Sequence, residues 1–203
     1  MKAVAFLDAN VLAKPFTRTL LWVGAIYSDY EITWSMTVER EANRHMRDNT
    51  ASLELLRNRY GLAIGPAGTS GNDYLETSPS DRQVLSDAFA ARANYLITAN
   101  VTYFGESDLI ACGIVAIHPD LFLADRISDA GYLAALEALS VGMRSPARSV
   151  AEVHVAGGRL HPLLAAAKMR LFPDHPPLPP THPAPAIQVR GMTLDRFSQD
   201  FRA

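Results

Sequence analysis

The sequence predicts an α/β fold in which a parallel sheet is flanked by helices. Short apolar runs typical of strands alternate with longer stretches whose apolar residues recur at helical spacing, and this alternation indicates βα units. The chain has 203 residues, of which 48% are hydrophobic and 20% are charged. A chain of this size and composition is expected to bury one core and to carry an appendage.

The sheet is predicted from the first part of the chain. Strands are expected at residues 3–7, 31–35, 95–98 and 113–117, with a further short strand at 61–64. Helices are expected between them at residues 17–26, 37–46, 51–59 and 80–93. Thr17 is placed as an N-cap because its hydroxyl suits a helix start. The segment 65–78 is rich in Gly, Ser, Thr and Asn, so it is predicted to be a loop.

Beyond Pro119 the pattern becomes helical. Helices are expected at residues 121–127, 129–141, 147–155 and 160–171. Seven prolines between 173 and 185 favour an extended segment, and residues 192–203 are predicted to form a short helix. The chain is therefore divided into an α/β domain (1–127), a helical C-terminal extension (128–172) and a Pro-rich tail (173–203).

Composition excludes several classes of protein. The formal net charge is -2, so nucleic-acid binding would need a local basic patch. The single cysteine, Cys112, excludes an internal disulfide framework and a cysteine-rich zinc site. The apolar run after Met1 is too short for a signal peptide. No segment approaches the roughly 18–20 apolar residues of a membrane span. We therefore expect a cytoplasmic protein without membrane contact.

Three acidic residues, Asp8, Glu41 and Asp81, are predicted to meet at one edge of the sheet. Asp8 follows the first strand, and Glu41 lies in the helix after the second. Thr98 and Asn100 follow the strand at 95–98. In an open parallel sheet, ligands bind beyond the carboxyl ends of the strands. These polar side chains are therefore expected to share that edge.

Asp81 is expected to reach this edge from the start of a helix. Ser80 and Gln83 have the spacing of a capping box. The residues three, four and seven positions after Asp81 are apolar, so Asp81 shares their core-facing side, whereas Asp87 points elsewhere. This helix precedes the strand at 95–98 and runs antiparallel to it, which places Asp81 at the carboxyl edge.

Clustered carboxylates suit a hard divalent cation, which prefers oxygen ligands. Without a cation they repel one another, and with it they activate water and bind a phosphate. Simpler interpretations stay open for each acid. Asp81 suits a helix start, Asp8 suits a turn after a strand, and Glu41 suits a solvent-facing position.

Four short motifs follow one another along residues 3–127. They are Leu7-Asp8-Ala9-Asn10-Val11-Leu12, then Ser35 with Glu41 six residues later, then Asp81 with the helix leading to Tyr95-Leu96-Ile97-Thr98, and then Thr98-Ala99-Asn100 with Phe104. Their order and spacing resemble those of PIN-domain nucleases. A further run, His118-Pro119-Asp120 with Phe122-Leu123, is similar to the last strand-to-helix passage of VapC-type toxins.

The resemblance implies a PIN-like sheet and Mg²⁺- or Mn²⁺-dependent cleavage of RNA by metal-activated water. It implies that Asp8, Glu41 and Asp81 are the catalytic, metal-holding acids, and the spacing from Ser35 selects Glu41 over Glu39. It also implies hydrogen-bonding support from Asn10, Ser35, Thr98 and Asn100. Proteins of this type pair with a small antitoxin and form homodimers, and some longer ones have a helical C-terminal extension.

One departure concerns the number of metal ions. Many relatives carry a fourth acid in the closing motif, where Asn100 and Tyr103 stand here. Glu106 and Asp108 are alternatives, on a segment expected to be an irregular loop. A single ion, or a second one recruited with RNA, is the expectation.

A local patch of basic residues is expected to hold RNA. Arg40, Arg44 and Arg47 recur at offsets of four and seven beside Glu41, and Lys14 and Arg18 follow Asp8. Such a patch can bind phosphates even in an acidic protein. A solvated helix face and an antitoxin-docking surface remain alternatives. The wide apolar face of the helix at 17–26 is open as core, dimer contact or antitoxin groove.

The leading hypothesis is a metal-dependent endoribonuclease, the toxin of a toxin–antitoxin pair. One alternative is a housekeeping PIN nuclease of RNA processing. Another is a catalytically silent PIN fold that binds RNA or protein, which the missing fourth acid favours.

Overall fold

The computed structural model describes residues 2–46, 52–142, 146–183 and 185–191, without the side chain of Arg59. The helix predicted at 192–203 lies outside these ranges. Within them, no helix combines the length and the apolar character needed to cross a membrane.

A five-stranded sheet lies at the centre of the protein, in the order β2-β1-β3-β4-β5. Its strands are β1 (Ala3–Leu7), β2 (Tyr30–Thr33), β3 (Tyr95–Ile97), β4 (Val115–Ile117) and β5 (Val189–Arg190). The first four are parallel, and β5 is antiparallel to β4. The predicted α/β class with a parallel sheet is confirmed.

Helices cover the sheet on both faces. Within the described ranges they are α1 (Ala9–Leu12), α2 (Pro15–Ile26), α3 (Met36–His45), α4 (Leu53–Tyr60), α5 (Arg82–Ala90), α6 (Glu106–Cys112), α7 (Pro119–Arg126), α8 (Asp129–Gly142), α9 (Val150–Gly157) and α10 (Pro162–Ala167). Short 3₁₀ turns occur at Gly71–Asp73, Val101–Tyr103 and Met169–Leu171.

The central strands end level with one another. All residues of β3 and β4 are buried, as expected for parallel strands covered on both faces. Leu7 pairs with Ile97, and Ile97 pairs with Ile117. The residues that follow these strands are joined by backbone bonds from Asp8 N to Ile97 O (3.0 Å) and from Thr98 N to Ile117 O (3.1 Å). Consequently Asp8, Thr98 and His118 succeed one another along the carboxyl edge of the sheet.

The C-terminal helices pack onto the α/β part. Helix α8 packs against α2, α9 against α8, and α10 against α7. The α2–α8 approach is close, since a Cβ atom at Gly131 would lie 2.8 Å from the Gly24 carbonyl oxygen. Leu20 and Leu21 of α2 are fully buried. Burial within the same chain is therefore observed for Leu20 and Leu21, whereas Ile26 at the end of α2 is 66% exposed, so a dimer contact or an antitoxin groove there stays a prediction.

Several local predictions are wrong for identifiable reasons. Helix α2 starts before Thr17, because Pro15 suits the first helical position. The predicted strand at 61–64 is absent, since Gly61 ends α4 in the left-handed region with φ 65. Helix α6 occupies the segment around Glu106 that was expected to be an irregular loop.

The chain returns to the sheet after its proline-rich segment. Leu178 N donates to Val155 O at 3.0 Å, and His118 N donates to Gln188 O at 2.7 Å. Strand β5 then pairs Val189 with Ile117. This strand was not predicted, and it covers the edge of β4 that would otherwise present unpaired backbone groups.

Candidate functional site

Asp8 is held rigidly at the end of β1, where it is the N-cap of α1. Its Oδ1 accepts a hydrogen bond from Ala9 N at 2.6 Å. Its Oδ2 accepts bonds from Asn10 Nδ2 at 2.5 Å and from Thr98 Oγ1 at 2.7 Å. The residue is only 4% exposed. Three donors thus fix the carboxylate in one orientation.

Asn10 and Thr98 connect the ends of β1 and β3. Asn10 Nδ2 also donates to Thr98 Oγ1 at 3.1 Å, and Ala99 N donates to Asn10 Oδ1 at 3.0 Å. Asn100 N donates to Thr98 Oγ1 at 3.0 Å. The structure therefore brings together Asp8, Asn10 and Thr98 in one network, to which Asn100 contributes its backbone rather than its exposed side chain.

The three predicted acids Asp8, Glu41 and Asp81, here called the acid edge, interact electrostatically. Burial raises the pKa of the Asp8 carboxyl to about 6, against the hydrogen bonds from Thr98 and Ala9, which lower it. The negative charges of Asp81 and then Glu41 raise it further. Like charges act this way only over short distances, so Asp81 and Glu41 lie within electrostatic reach of Asp8.

The Glu41 carboxylate is free to bind a ligand, whereas that of its neighbour Glu39 is used in the fold. Glu39 is 3% exposed, and its Oε2 accepts bonds from Trp34 Nε1 at 2.9 Å and Arg57 Nε at 3.3 Å. Glu41 is half-buried and makes no hydrogen bond or ion pair within the part of the chain that the structure describes. Glu39 therefore supports the fold, while the Glu41 carboxylate stays open to a ligand.

A similar division separates Asp81 from Asp87. Asp87 is fully buried, and its Oδ1 accepts bonds from Gly68 N at 2.8 Å and Gln83 Nε2 at 2.7 Å. Asp81 is half-buried, and its Oδ2 accepts a bond from Ser80 Oγ at 2.7 Å. The predicted capping box is wrong, because Asp81 rather than Ser80 is the N-cap position and Gln83 bonds to the loop instead.

The acid edge is not arranged as a finished metal site. Among the described residues, no group of three or more His, Cys, Asp and Glu side chains is placed to hold a metal ion. The donor set nevertheless fits a hard cation, since it consists of carboxylates. Burial is the main cause of the raised pKa of Asp8, and the repulsion by Asp81 and Glu41 adds to it; a bound cation would relieve both effects.

Other predicted supporting residues have structural partners. Ser35 is buried and caps α3, its Oγ accepting a bond from Val38 N at 3.3 Å. Glu106 accepts a bond from Gly191 N at 2.9 Å. Asp108 accepts bonds from the backbone of Glu76 and Thr77. Glu106 and Asp108 therefore each hold two segments of the chain together, and their part as a replacement for the fourth acid stays a prediction.

The predicted basic residues divide into exposed and buried ones. Arg40, Arg44 and Lys14 are exposed, and Arg47 lies outside the described residues. Arg18 is only 5% exposed, and its Nη1 donates to Leu12 O at 2.5 Å. Its guanidinium also lies 5.8 Å from the centre of the Trp22 ring. Arg18 is thus committed to the interior, and we no longer count it among phosphate-binding candidates.

A buried polar cluster next to this edge was missed by sequence reasoning. His161 Nε2 lies 2.9 Å from Thr17 Oγ1, and His161 Nδ1 lies 3.8 Å from Asp120 Oδ1, too far for a hydrogen bond. The Asp120 carboxylate instead accepts backbone bonds from Leu163 and Leu164 at the start of α10. Burial lowers the pKa of His161 to about 3, so its ring is neutral at pH 7. No local sequence pattern signals this long-range pairing.

Comparison with known proteins finds one curated relative of note. "Putative ribonuclease VapC50" of Mycobacterium tuberculosis is 35% identical to this chain over 101 residues. The match covers 48% of this chain and 59% of that protein, so the chain spans less than two thirds of its relative's length. No family model and no solved structure matches the chain significantly.

Proposed function

We propose that this protein is a VapC-like, PIN-type endoribonuclease that hydrolyses RNA phosphodiesters with the help of Mg²⁺ or Mn²⁺. The proposal rests chiefly on the acid edge. A buried carboxylate held by three donors stands at the carboxyl edge of a parallel sheet, within electrostatic reach of two further acids. The similarity to a protein named as a ribonuclease agrees with this chemistry.

Each residue of the acid edge has a distinct task in the proposed reaction. Asp8, Glu41 and Asp81 would hold the cation. When bound, the ion would supply the Lewis-acid chemistry that makes water nucleophilic at neutral pH and offsets the charge of the phosphate. Asn10 and Thr98 fix the Asp8 carboxylate, so it needs no reorganisation when a ligand arrives. Glu41 and Asp81 are less constrained and can adjust to the RNA.

The decisive experiment is a cleavage assay on total RNA. Wild-type protein is expected to fragment RNA in the presence of Mg²⁺ or Mn²⁺ and to stop when EDTA is added. Asp8→Asn is expected to abolish cleavage, because it removes the buried charge and retains the side-chain size. Asp29→Asn is the matched control, since Asp29 is an exposed aspartate directly before β2, at the opposite edge of the sheet from Asp8, and it is expected to retain wild-type activity.

Two results would contradict the proposal. Full cleavage by Asp8→Asn with metal present would separate the activity from the acid edge. Equal loss in Asp8→Asn and Asp29→Asn would indicate a general effect on the protein. Thermal unfolding of both variants shows whether the fold is intact.

We further propose that the protein is the toxin of a toxin–antitoxin pair and that it forms homodimers. The name of the relative supports the first part. A small open reading frame next to the gene, whose product binds this protein and stops RNA cleavage, would support the toxin assignment. The absence of such an inhibitor would favour the housekeeping nuclease. Sedimentation of the purified protein tests the dimer.

A catalytically silent RNA- or protein-binding module is the second candidate. It is favoured by the lack of a finished metal site among the described residues and by the exposed Asn100 in the closing motif. Calorimetric titration with Mn²⁺, with and without RNA, separates the two candidates. Binding that disappears in Asp8→Asn supports the nuclease, and no binding in either condition supports the silent module.

A further inference from the structure

A cavity of about 1130 Å³ lies between the carboxyl edge of the sheet and the C-terminal helices. One wall comes from residues 13–17 and 19, just after α1, and the facing wall comes from α8 and α9 with the turn that follows α9. This volume exceeds the roughly 300–1,000 Å³ of pockets that bind small molecules. Its size suits a segment of a polymer better than a single metabolite.

All charged side chains that line this cavity are basic. Lys14, Arg148 and Arg159 line it together with His45, and among the described residues no aspartate or glutamate does so. This lining, here called the basic cleft, contrasts with the net charge of -2 of the whole chain. Hydrogen bonds from the backbone and the side chain of Ser149 lower the pKa of Glu152, and the charge of Arg148 lowers it further, but Glu152 is not among the residues that line the cavity. The basic cleft is therefore a local concentration of positive charge.

The cations of the basic cleft are not used by the fold. Lys14, Arg148 and Arg159 are exposed, and none donates a side-chain hydrogen bond or forms an ion pair within the described ranges. Cations that face one cavity repel one another, and Glu152 offsets only part of this repulsion, at Arg148. Arg18, by comparison, is buried against the carbonyl of Leu12.

The basic cleft adjoins the acid edge. Lys14 follows Asp8 with only the short helix α1 between them, and His45 lies four residues after Glu41 on the same side of α3. A polymer in the cleft would thus run toward the three carboxylates. The lining also includes Phe16 and Leu160, and aromatic and apolar surface beside cations is what single-stranded nucleic acid uses.

We propose that the basic cleft binds the phosphates of single-stranded RNA, with Arg148 and Arg159, which lie just before and just after α9, as its main cations. This inference rests on the proposed nuclease function. It assigns substrate binding mainly to the part of the chain that follows the four parallel strands. RNA is favoured over an acidic protein segment because one RNA strand can fill the cleft and also present a phosphodiester to the acid edge.

The test is fluorescence anisotropy with a fluorescein-labelled 12-nucleotide oligouridylate. It is measured in full-length Asp8→Asn protein, so the RNA stays intact. Arg148→Glu with Arg159→Glu is expected to raise the Kd by roughly tenfold or more. The plot of log K against log salt is expected to become less steep by about 1.4, because two phosphate contacts are lost and each is worth about 0.7 on a single strand.

Two further variants make the comparison specific. Arg148→Lys with Arg159→Lys retains the charges and is expected to stay within about threefold of the parent, since each charge contributes mainly through counterion release. Arg92→Glu changes an exposed arginine before β3, at the opposite edge of the sheet, and is expected to leave the Kd unchanged. Circular dichroism checks that all variants are folded.

Unchanged RNA affinity and salt slope in the double Glu variant would overturn this inference. A second result would also overturn it: a 12-residue polyglutamate peptide binds tightly, its binding depends on the two arginines, and RNA binding does not depend on them. If replacing Arg148 and Arg159 by Glu in the otherwise wild-type protein left RNA cleavage unchanged, the nuclease proposal would stand and the cleft would have no part in it. Arginine-dependent binding without cleavage would do the reverse.

Discussion

The acid edge and the basic cleft adjoin each other, but their side chains are held in different ways. Asp8 is buried and fixed by three hydrogen bonds, whereas Arg148 and Arg159 are exposed and unpaired in the described ranges. The proposed chemistry needs a carboxylate at a fixed place, while phosphates can be held by mobile cations. The contrast indicates that the proposed reaction takes place at rigid side chains, whereas the RNA is bound by side chains that can adapt to it.

The largest expected effect tests which acids belong to the acid edge. Glu41→Gln is expected to lower the rate of RNA cleavage by roughly 100-fold or more, because even groups that only support a metal site are worth about 10–100-fold. The unfolding midpoint should stay unchanged, since Glu41 has no described bond to lose. Rates are measured on total RNA at saturating Mn²⁺.

Glu39→Gln is the matched variant for Glu41→Gln. It removes the charge that pairs with Arg57 at 3.3 Å, so its expected effect is a lower free energy of unfolding with cleavage largely retained. If Glu39→Gln abolished cleavage and Glu41→Gln did not, the assignment of the two glutamates would be reversed.

The second effect concerns the rigidity of Asp8. Thr98→Val removes the hydroxyl that donates to Asp8 and accepts from Asn100 N. We expect cleavage to fall by about tenfold and the free energy of unfolding to fall by about 1–3 kcal/mol, since the buried Asp8 carboxylate loses one of its donors. Urea unfolding and cleavage rates measure both.

Thr102→Val is the control for Thr98→Val, because Thr102 is exposed and its described bond uses only the backbone carbonyl. Wild-type cleavage by Thr98→Val would show that Asp8 does not need to be held rigidly.

The third effect is a pH dependence of stability from the cluster beside the cleft. Burial lowers the pKa of His161 from 6.5 to about 3, so the unfolded chain binds the proton more readily between these values. The contribution of His161 to the free energy of unfolding is therefore fully present above its unfolded pKa, and it is lost progressively as the pH falls below about 6.5. From pH 7.5 to 5.5 the expected loss is roughly 1.4 kcal/mol.

Urea unfolding of wild type and His161→Gln at both pH values isolates this contribution. His118 has a pKa lowered to about 4 and acts in the same direction, whereas the raised pKa of Asp120 acts in the opposite direction. These groups are present in both proteins, so the difference between them reports His161. An identical pH dependence in the two proteins would show that His161 is not buried in its neutral form.

The smallest effects come from two helix caps, one for each region. Ser35 caps α3, which carries Glu41, and Ser149 caps α9, directly after Arg148. Ser35→Ala is expected to cost about 1 kcal/mol of stability and to reduce cleavage more than RNA affinity. Ser149→Ala should reduce RNA affinity more than cleavage at saturating RNA. If both variants lost cleavage and RNA affinity in the same proportion, the acid edge and the basic cleft would not have separate tasks.

The meeting of Asp8 with Thr98 was predictable because it follows from local rules, whereas a shared metal site with Glu41 and Asp81 stays a prediction. Asp8 and Thr98 end parallel strands, and strand ends of one sheet meet by geometry. The choice of Glu41 over Glu39 came from spacing, and the structure provides a reason in the bonds of Glu39 to Trp34 and Arg57. This choice still awaits the cleavage experiment.

The basic cleft was not predictable from local pattern. Arg148 and Arg159 approach Lys14 only because α8 packs on α2 through Gly24 and Gly131. Nothing in the spacing of these arginines indicates that packing. The burial of Arg18 was missed for a related reason, since its position beside Lys14 suggested a surface role and its contacts with Leu12 and Trp22 depend on the fold.

Strand β5 has a consequence for the order in which the protein acquires its parts. Synthesis proceeds from the amino terminus, so Ile117 and the four parallel strands leave the ribosome well before Val189, the partner of Ile117 in β5. The C-terminal helices, and with them the arginines of the cleft, emerge between these two residues. Every unfinished chain that ends near Ile117 therefore contains the three acids without the cleft, and the last strand is added only after both regions exist.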